Sequence, residues 1–352
     1  VFLCPNLLQV LFVKRRAKII YINKRGKKMI FDKLNEKYLE EAVRLAKSQY
    51  NMEQKHIEAL YEKDYTDILT DLLYEIFNRK YGVVAVEKGK VLGYLSFIGG
   101  INGQFGNVKG SFSPLYANAY GGEDRGKLVS LLFQHASEEM IKEEILSYAI
   151  CVYSHDIEVM TSLSMNGFSM RCSDAIRNVN RSLDIQVNTD YSYTEIHYNE
   201  ACCLLPLQNS LDIHMRKSPI YFPKKELSEE EFINRCYDRK SRFFIAKDKS
   251  DIIGYLEIVN SGETFISEEQ DYLHLCGAYL KEDYRGKNIY QSLLLFVLEA
   301  LKKEGIKRLG VDYETINPTA IRFWRKYFDN YTYSFVRRID ERIQNFTQKE
   351  MF

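Results

Sequence analysis

Arg285-Gly286-Lys287-Asn288 stands between a strand-like run, Tyr272 to Leu280, and a stretch with apolar residues at Ile289, Leu293, Phe296, Val297, Ala300 and Leu301. Spacing by three and four predicts a helix there, and Gly305 stands where it would stop. A basic, glycine-containing turn that opens a helix offers an anion free backbone N–H groups and the positive end of the helix dipole. Asn288 is of the type that caps a helix. The chemistry this suits is the holding of a pyrophosphate. An Arg-Gly-Lys taken alone also fits a solvated turn; the strand before it and the long amphipathic helix after it favour the anion site.

The elements that would position this loop occur twice. Arg-Gly-Lys recurs at 125–127, 160 residues earlier, and each copy leads into Ser-Leu-Leu and a long helix ending in a Lys/Glu cluster. Upstream, Val91-Leu-Gly-Tyr-Leu-Ser96 matches Ile252-Ile-Gly-Tyr-Leu-Glu257 as the second arm of a hairpin; downstream, 147–152 and 308–313 read as buried strands. A repeat this long is a domain duplication rather than a solenoid. The expected division is a first domain over 29–180, a polar linker over 181–190, a second domain over 191–343 and a polar tail over 344–352. Expected helices lie near 36–50, 65–79, 128–143 and 156–166 in the first copy. In the second they lie near 198–211 and 229–239, after the loop, and at Asn317-Pro318, a cap followed by proline at the first helical position.

The composition is that of a globular chain, 28% charged and 45% hydrophobic over 352 residues. Seven cysteines with no CxxC spacing, and six scattered histidines, predict neither a disulfide scaffold nor a metal site and fit a reducing compartment. Residues 1–28 differ: 1–13 are mostly apolar, 14–28 carry eight basic residues, and no acid occurs before position 29. Apolar before basic reverses a secretory signal, and thirteen residues are too few to span a bilayer. Met29 opens a credible first strand, and codons for Lys24–Lys28 permit a purine-rich ribosome-binding stretch before it. The expectation is that 1–28 is translated upstream sequence; the alternative is a flexible basic extension. Without those eight residues, 41 basic face 48 acidic, a net −7. An acidic body speaks against nucleic acid and mildly favours cationic substrates.

The stretch from 279 to 294 resembles the cofactor loop of the GNAT acetyltransferase superfamily, Arg/Gln-x-x-Gly-x-Gly/Ala after a strand, with Asn288 and Tyr290 in the two later glycine positions. A second family element, Asn-x-x-Ala-x-x-Phe/Leu-Tyr-x-x-x-Phe, is matched by Asn317, Ala320, Phe323, Trp324 and Phe328. The first copy, aligned on Phe168, has Ile157, Met160, Leu163 and Ser164 there, and Leu128-Val129 directly after Lys127, so it reads as degenerate in cofactor binding. The resemblance implies two tandem α/β (α+β) domains, each a mixed, mostly antiparallel sheet with helices on both faces, splayed where the cofactor enters. It also implies acetyl-coenzyme A bound by Ala278, Tyr279, Leu280, Arg285, Gly286, Lys287, Asn288, Ile289, Tyr290, Gln291, Asn317, Phe323 and Trp324.

The implied reaction is direct transfer of an acetyl group to a primary amine in a ternary complex. A backbone N–H near Tyr279 or Leu280 would polarise the carbonyl. The family's proton-donating Tyr position holds Trp324, whose indole is no useful acid, so Tyr327 is the substitute candidate. For the base the candidates are Glu257, His274, Glu268 and Glu269, with Asp312 and Glu314 as further carboxylates. His274 equally suits a satisfied core histidine, and the acidic loop a solvated hairpin tip; Cys276 as acyl carrier lacks a readable base. The resulting expectation is a cytoplasmic N-acetyltransferase acting on a small-molecule or peptide amine, with no nucleic-acid or membrane partner. A non-catalytic acyl-coenzyme A sensor is the alternative, and a paired fold using aminoacyl-tRNA a second one.

Overall fold

The computed structural model describes residues 19–22, 28–79, 81–103 and 106–346. Along the first half run β1 (Ile19–Ile22), β2 (Lys28–Lys33), α1 (Leu39–His56), α2 (Thr66–Phe77), β3 (Tyr81–Glu87), β4 (Lys90–Phe97), β5 (Ile101–Asn102), β6 (Lys109–Ser113), β7 (Asn118–Tyr120), α3 (Arg125–Ile141), β8 (Ile145–Tyr153), α4 (Ile157–Met165) and β9 (Ser169–Asn178). The second half carries β10 (Ser192–His197), α5 (Leu205–Arg216), α6 (Glu229–Arg239), β11 (Arg242–Asp248), β12 (Asp251–Val259), β13 (Tyr272–Leu280), α7 (Ile289–Lys303), β14 (Arg308–Glu314), α8 (Pro318–Tyr327), β15 (Asp329–Asn330) and β16 (Thr332–Arg338). The expectation for 1–28 falls largely outside the described residues. Its described part, Ile19–Ile22, is not a loose extension but an edge strand paired antiparallel with β2.

Among the described residues two compact units result, one within 19–56, 62–170 and 334–346, the other from 57–61 and 171–333. This differs from the expected 29–180 and 191–343 at the copy ends. β9, written in the first copy, pairs along its length with β14, from Cys172 opposite Glu314 to Asn178 opposite Arg308. Residues 334–346 belong to the first unit, where the Ile339 N–H donates to the Leu146 carbonyl. A buried strand must pair both edges. The repeat marks each copy but not which strand completes which sheet.

In the second unit the strand order is β10-β11-β12-β13-β14-β9, parallel only between β13 and β14. Period-two alternation divides β11: Phe243 and Ile245 pack in the α5/α6 layer with Phe232, Cys236 and Leu207, while Phe244 and Ala246 pack in the α7/α8 layer. Helix α7 buries Ile289, Leu293, Val297 and Leu301, each one turn on from the last, with Leu294 and Leu298 beside them. Each such side chain contributes roughly 1.5–3 kcal/mol on burial. The helix ends as Gly305 (φ +80°) donates to the Lys302 carbonyl and Ile306 to that of Leu301, a Schellman closure. The parallel ladder joins Tyr272–Leu275 to Arg308–Val311 and stops, so beyond Leu275 and Val311 the two strands part.

In the first unit the counterpart of β13 is broken. Pro114 and a 3₁₀ turn over Leu115–Ala117 separate β6, parallel to β8, from β7, which pairs with β4. The buried Asn118 amide donates to the Cys151 and Pro114 carbonyls at 2.9 and 3.1 Å, lacing the gap between the pieces.

Candidate active site

The loop after β13 is shaped by backbone before side chains. Gly286 (φ +78°) and Asn288 (φ +59°) both take left-handed angles, which glycine adopts freely and asparagine tolerates. A Cβ at Gly286 would meet nothing within 4 Å, so the loop faces open space. The Asn288 side chain does not cap α7, contrary to expectation; it donates to the Gln186 carbonyl at 2.5 Å. The first turn of α7 therefore keeps its N–H groups without a side-chain acceptor, a donor set suited to a phosphate. The segment expected as a linker braces this loop: Asn188 donates from its side chain to the Lys287 carbonyl and from its backbone to Ser292 Oγ, both at 2.9 Å.

A cavity of about 420 Å³ opens where β13 leaves β14. Ala278, Tyr279 and Leu280 line it from the strand, Arg285, Gly286, Asn288, Ile289, Tyr290 and Gln291 from the loop and α7, and Asn317, Phe323, Trp324 and Tyr327 from α8. Of the residues expected to bind cofactor, all but Lys287 are thus brought together. Lys287 lies with its ammonium 5.1 Å from the Tyr284 ring centroid. The Arg285 guanidinium donates from Nε to the Leu280 carbonyl at 3.2 Å, which ties the loop to the strand end. Asn317 caps α8, its Oδ1 accepting from the N–H groups of Thr319 and Ala320 and from the Thr319 hydroxyl. Tyr290, in place of a small residue, donates to the Tyr255 carbonyl at 3.3 Å, and its ring meets Phe323 edge-on at 5.0 Å and Trp324 at 6.4 Å. Trp324 packs further on Phe328. The cavity wall is consequently aromatic and rigid on the α8 side and rich in donors on the loop side.

The expected bases lie elsewhere. Glu257 is buried in an ion pair with Arg235 Nη2 at 3.2 Å and accepts from Ser241 Oγ at 2.6 Å. Its carboxylate fills the space beside Gly277, where a Cβ would come within 2.7 Å of it. His274 is buried with both ring nitrogens engaged, Nδ1 to the Tyr272 hydroxyl at 2.9 Å and Nε2 to Asp312 at 2.8 Å. Glu314 pairs with Arg171. Glu268 and Glu269 end the turn before β13, away from the cavity-lining residues. Burial pushes the Cys276 thiol up, with Glu257 adding to it, which leaves a poor nucleophile.

Several cavity residues carry no motif: Leu211 and His214 reach it from α5, and Thr319, Arg322 and Lys326 from α8, where the motif residue Ala320 joins them. Arg322 and Lys326, one turn apart, add two cations to the Arg285 side of the charge balance; their i, i+4 spacing was a signal available in the sequence. Burial, reinforced by the Arg285 guanidinium, holds the His214 imidazole below its ordinary value.

The first copy's equivalent site is filled by its own side chains. Its Arg-Gly-Lys is not a loop before a helix, as expected, but the first turn of α3, capped by Asp124. The Gly126 N–H donates to Glu158 Oε1 at 3.0 Å, and Arg125 pairs with Asp156 at 3.1 Å. A Cβ at Gly126 would stand 3.2 Å from the Glu158 carbonyl, so α3 and α4 are closed against each other. Asp156, not Ile157, holds the capping place that Asn317 holds in the second copy.

Residues 208–329 match the model of the acetyltransferase (GNAT) family. The fold is similar to a GCN5-related N-acetyltransferase from Sphaerobacter thermophilus, with a TM-score of 0.54 and 11% identity over 90% of this chain and 97% of that one. It is also similar to a GCN5-related glucosamine N-acetyltransferase region of a fungal multi-domain GH3 β-N-acetylglucosaminidase, with a TM-score of 0.51 and 15% identity; 88% of this chain aligns with 38% of that one. No curated protein matches the sequence. Among the described residues no helix is long and apolar enough to cross a membrane.

Proposed function

We propose that this chain, whose residues 208–329 match the model of the acetyltransferase (GNAT) family, transfers an acetyl group from acetyl-coenzyme A to a primary amine, the second unit alone holding the cofactor. The observation that carries the proposal is the cavity at the parting of β13 and β14, which gathers the strand end, the uncapped α7 N-terminus and the α8 aromatics around one space. The residues present fit the cofactor. Gly286 leaves room for an approaching phosphate, the first-turn N–H groups and Arg285 supply donors, and the Tyr290–Phe323–Trp324 wall suits the thin pantetheine arm.

Acetyl-coenzyme A, when bound, supplies an activated acetyl thioester. The chain's residues bind and orient it. Arg285 and the N–H groups of 289–291 would hold the pyrophosphate, and Asn317 and Ala278–Leu280 would offer hydrogen bonds along the arm. The N–H of Tyr279 or Leu280 is assigned to the carbonyl oxygen. Tyr327, on the cavity wall, is assigned the protonation of the departing sulfur. The saturated α3 terminus argues that the first unit is a scaffold in this reaction.

Calorimetric titration of acetyl-coenzyme A, followed by an amine screen read by thiol release, tests the proposal. One site per chain and turnover with at least one amine are expected. Absence of binding would overturn it. Binding without turnover on any amine would favour a sensor of acyl-coenzyme A.

A further inference from the structure

We infer that His214, on α5, is the catalytic residue that accepts the amine's proton. The inference rests on the acyl-transfer reading above. Of the six histidines in the chain, His214 is the one that lines the cavity. It stands on the wall that α5 contributes with Leu211, facing a space whose other sides are the β13 end, the loop and α8. The bases suggested by sequence are already committed: Glu257 to Arg235 and Ser241, His274 to Tyr272 and Asp312.

The imidazole stands beside a fixed neighbour. Asn317, which favours the charged ring, is held by three hydrogen bonds from Thr319 and Ala320 at the start of α8, and its amide nitrogen donates to Met215 Sδ at 3.8 Å. On balance the surroundings of His214 favour the uncharged ring. Arg285 from the loop and Lys217 from its own segment oppose a positive charge, Glu282 from the turn after β13 favours one, and Arg322 and Lys326 of α8, with Tyr279, Tyr290 and Tyr327, complete the titratable groups around the cavity. Burial and Arg285 lower the imidazole's basicity, so at neutral pH it has a lone pair to offer.

The proton balance is simple. An ammonium ion with three N–H bonds becomes an amide with one as its nitrogen bonds the acetyl carbon and the carbon–sulfur bond breaks. One of the two lost protons ends on sulfur; the other is taken by His214 and passed to solvent.

The test compares wild type with His214→Gln and His214→Ala. Acetyl-coenzyme A affinity is measured by calorimetry. Thiol release is followed across pH with hydroxylamine, uncharged at neutral pH, and with an amine from the screen, or with water where no amine reacts. Separately, diethyl pyrocarbonate modification is counted with and without acetyl-coenzyme A. Expected are affinity within threefold of wild type, a loss of about a hundredfold or more in thiol release with amine or water, a smaller loss with hydroxylamine, and disappearance of the acid-limb inflection. Added imidazole should partly restore His214→Ala, and acetyl-coenzyme A should protect one histidine in wild type and none in the variants. An unchanged pH profile in His214→Gln, or no protected histidine in wild type that binds acetyl-coenzyme A, overturns the assignment of His214 while leaving the acyl-transfer reading intact. Failure of wild type to bind acetyl-coenzyme A would remove both.

Discussion

At the scale of single residues, the loop separates two cations that look alike in sequence. Arg285 lines the cavity and is tied to Leu280; Lys287 is exposed beside Tyr284. Charge-assisted hydrogen bonds are worth about 1.5–3 kcal/mol. Arg285→Ala should therefore weaken acetyl-coenzyme A about ten- to a hundredfold by calorimetry, and Lys287→Ala less than about threefold. Equal effects of both would show that Lys287 turns into the site and that the loop is not held as described. The order of the two residues around Gly286 gives no hint of this difference. It follows from the fold-back of one guanidinium onto a strand carbonyl.

At the scale of elements, α8 and α3 differ in what surrounds the helix start. Asn317 holds α8 with three hydrogen bonds, and losing a cap costs about 0.5–2 kcal/mol. Asn317→Ala should lower the melting temperature by a few degrees. A variant melting like wild type would mean that α8 is held by its aromatic packing alone. The α3 start is saturated by Glu158 and Asp124, so wild type should bind one coenzyme A per chain. A stoichiometry of two would overturn the reading of the first unit as closed. The braces from the 181–190 segment make a third case: Asn188→Ala removes the side-chain support of the Lys287 carbonyl. Proteolysis at the loop should then quicken while the melting temperature changes little; unaltered cleavage would show that the backbone of 286–288 holds its own shape.

At the scale of the whole molecule, buried carboxylates set the response to pH. Burial pushes the Asp174 carboxyl up to about 6, partly offset by a hydrogen bond from Thr332. A carboxyl raised above its unfolded value contributes stability that is complete below about pH 4 and lost as pH rises through about 6. The full loss is about 3 kcal/mol. Asp174→Asn should flatten that stretch of a urea-midpoint profile; a variant as pH-dependent as wild type would place the proton release elsewhere.

Much of this was legible in the chain itself. The 160-residue repeat, the 3-and-4 spacing of α7, the Gly305 stop and the Asn317-Pro318 start all act locally, through helix geometry and caps, and a linear sequence records local physics. The left-handed turn at Gly286–Asn288 before α7 was legible for the same reason. What only the tertiary structure decided was non-local. Strand β9 completes the second unit because β14 needs a partner along its open edge. Glu257 and His274 are withdrawn from candidacy because Arg235 and Asp312 lie on other elements. Glu158 closes the first copy across 32 residues of chain, and His214 enters the site from a helix with no motif at all. Residue types and spacings determine which helices, turns and strands can form; which side chains then face one another is set by how those elements pack, and that decides which groups are free to react.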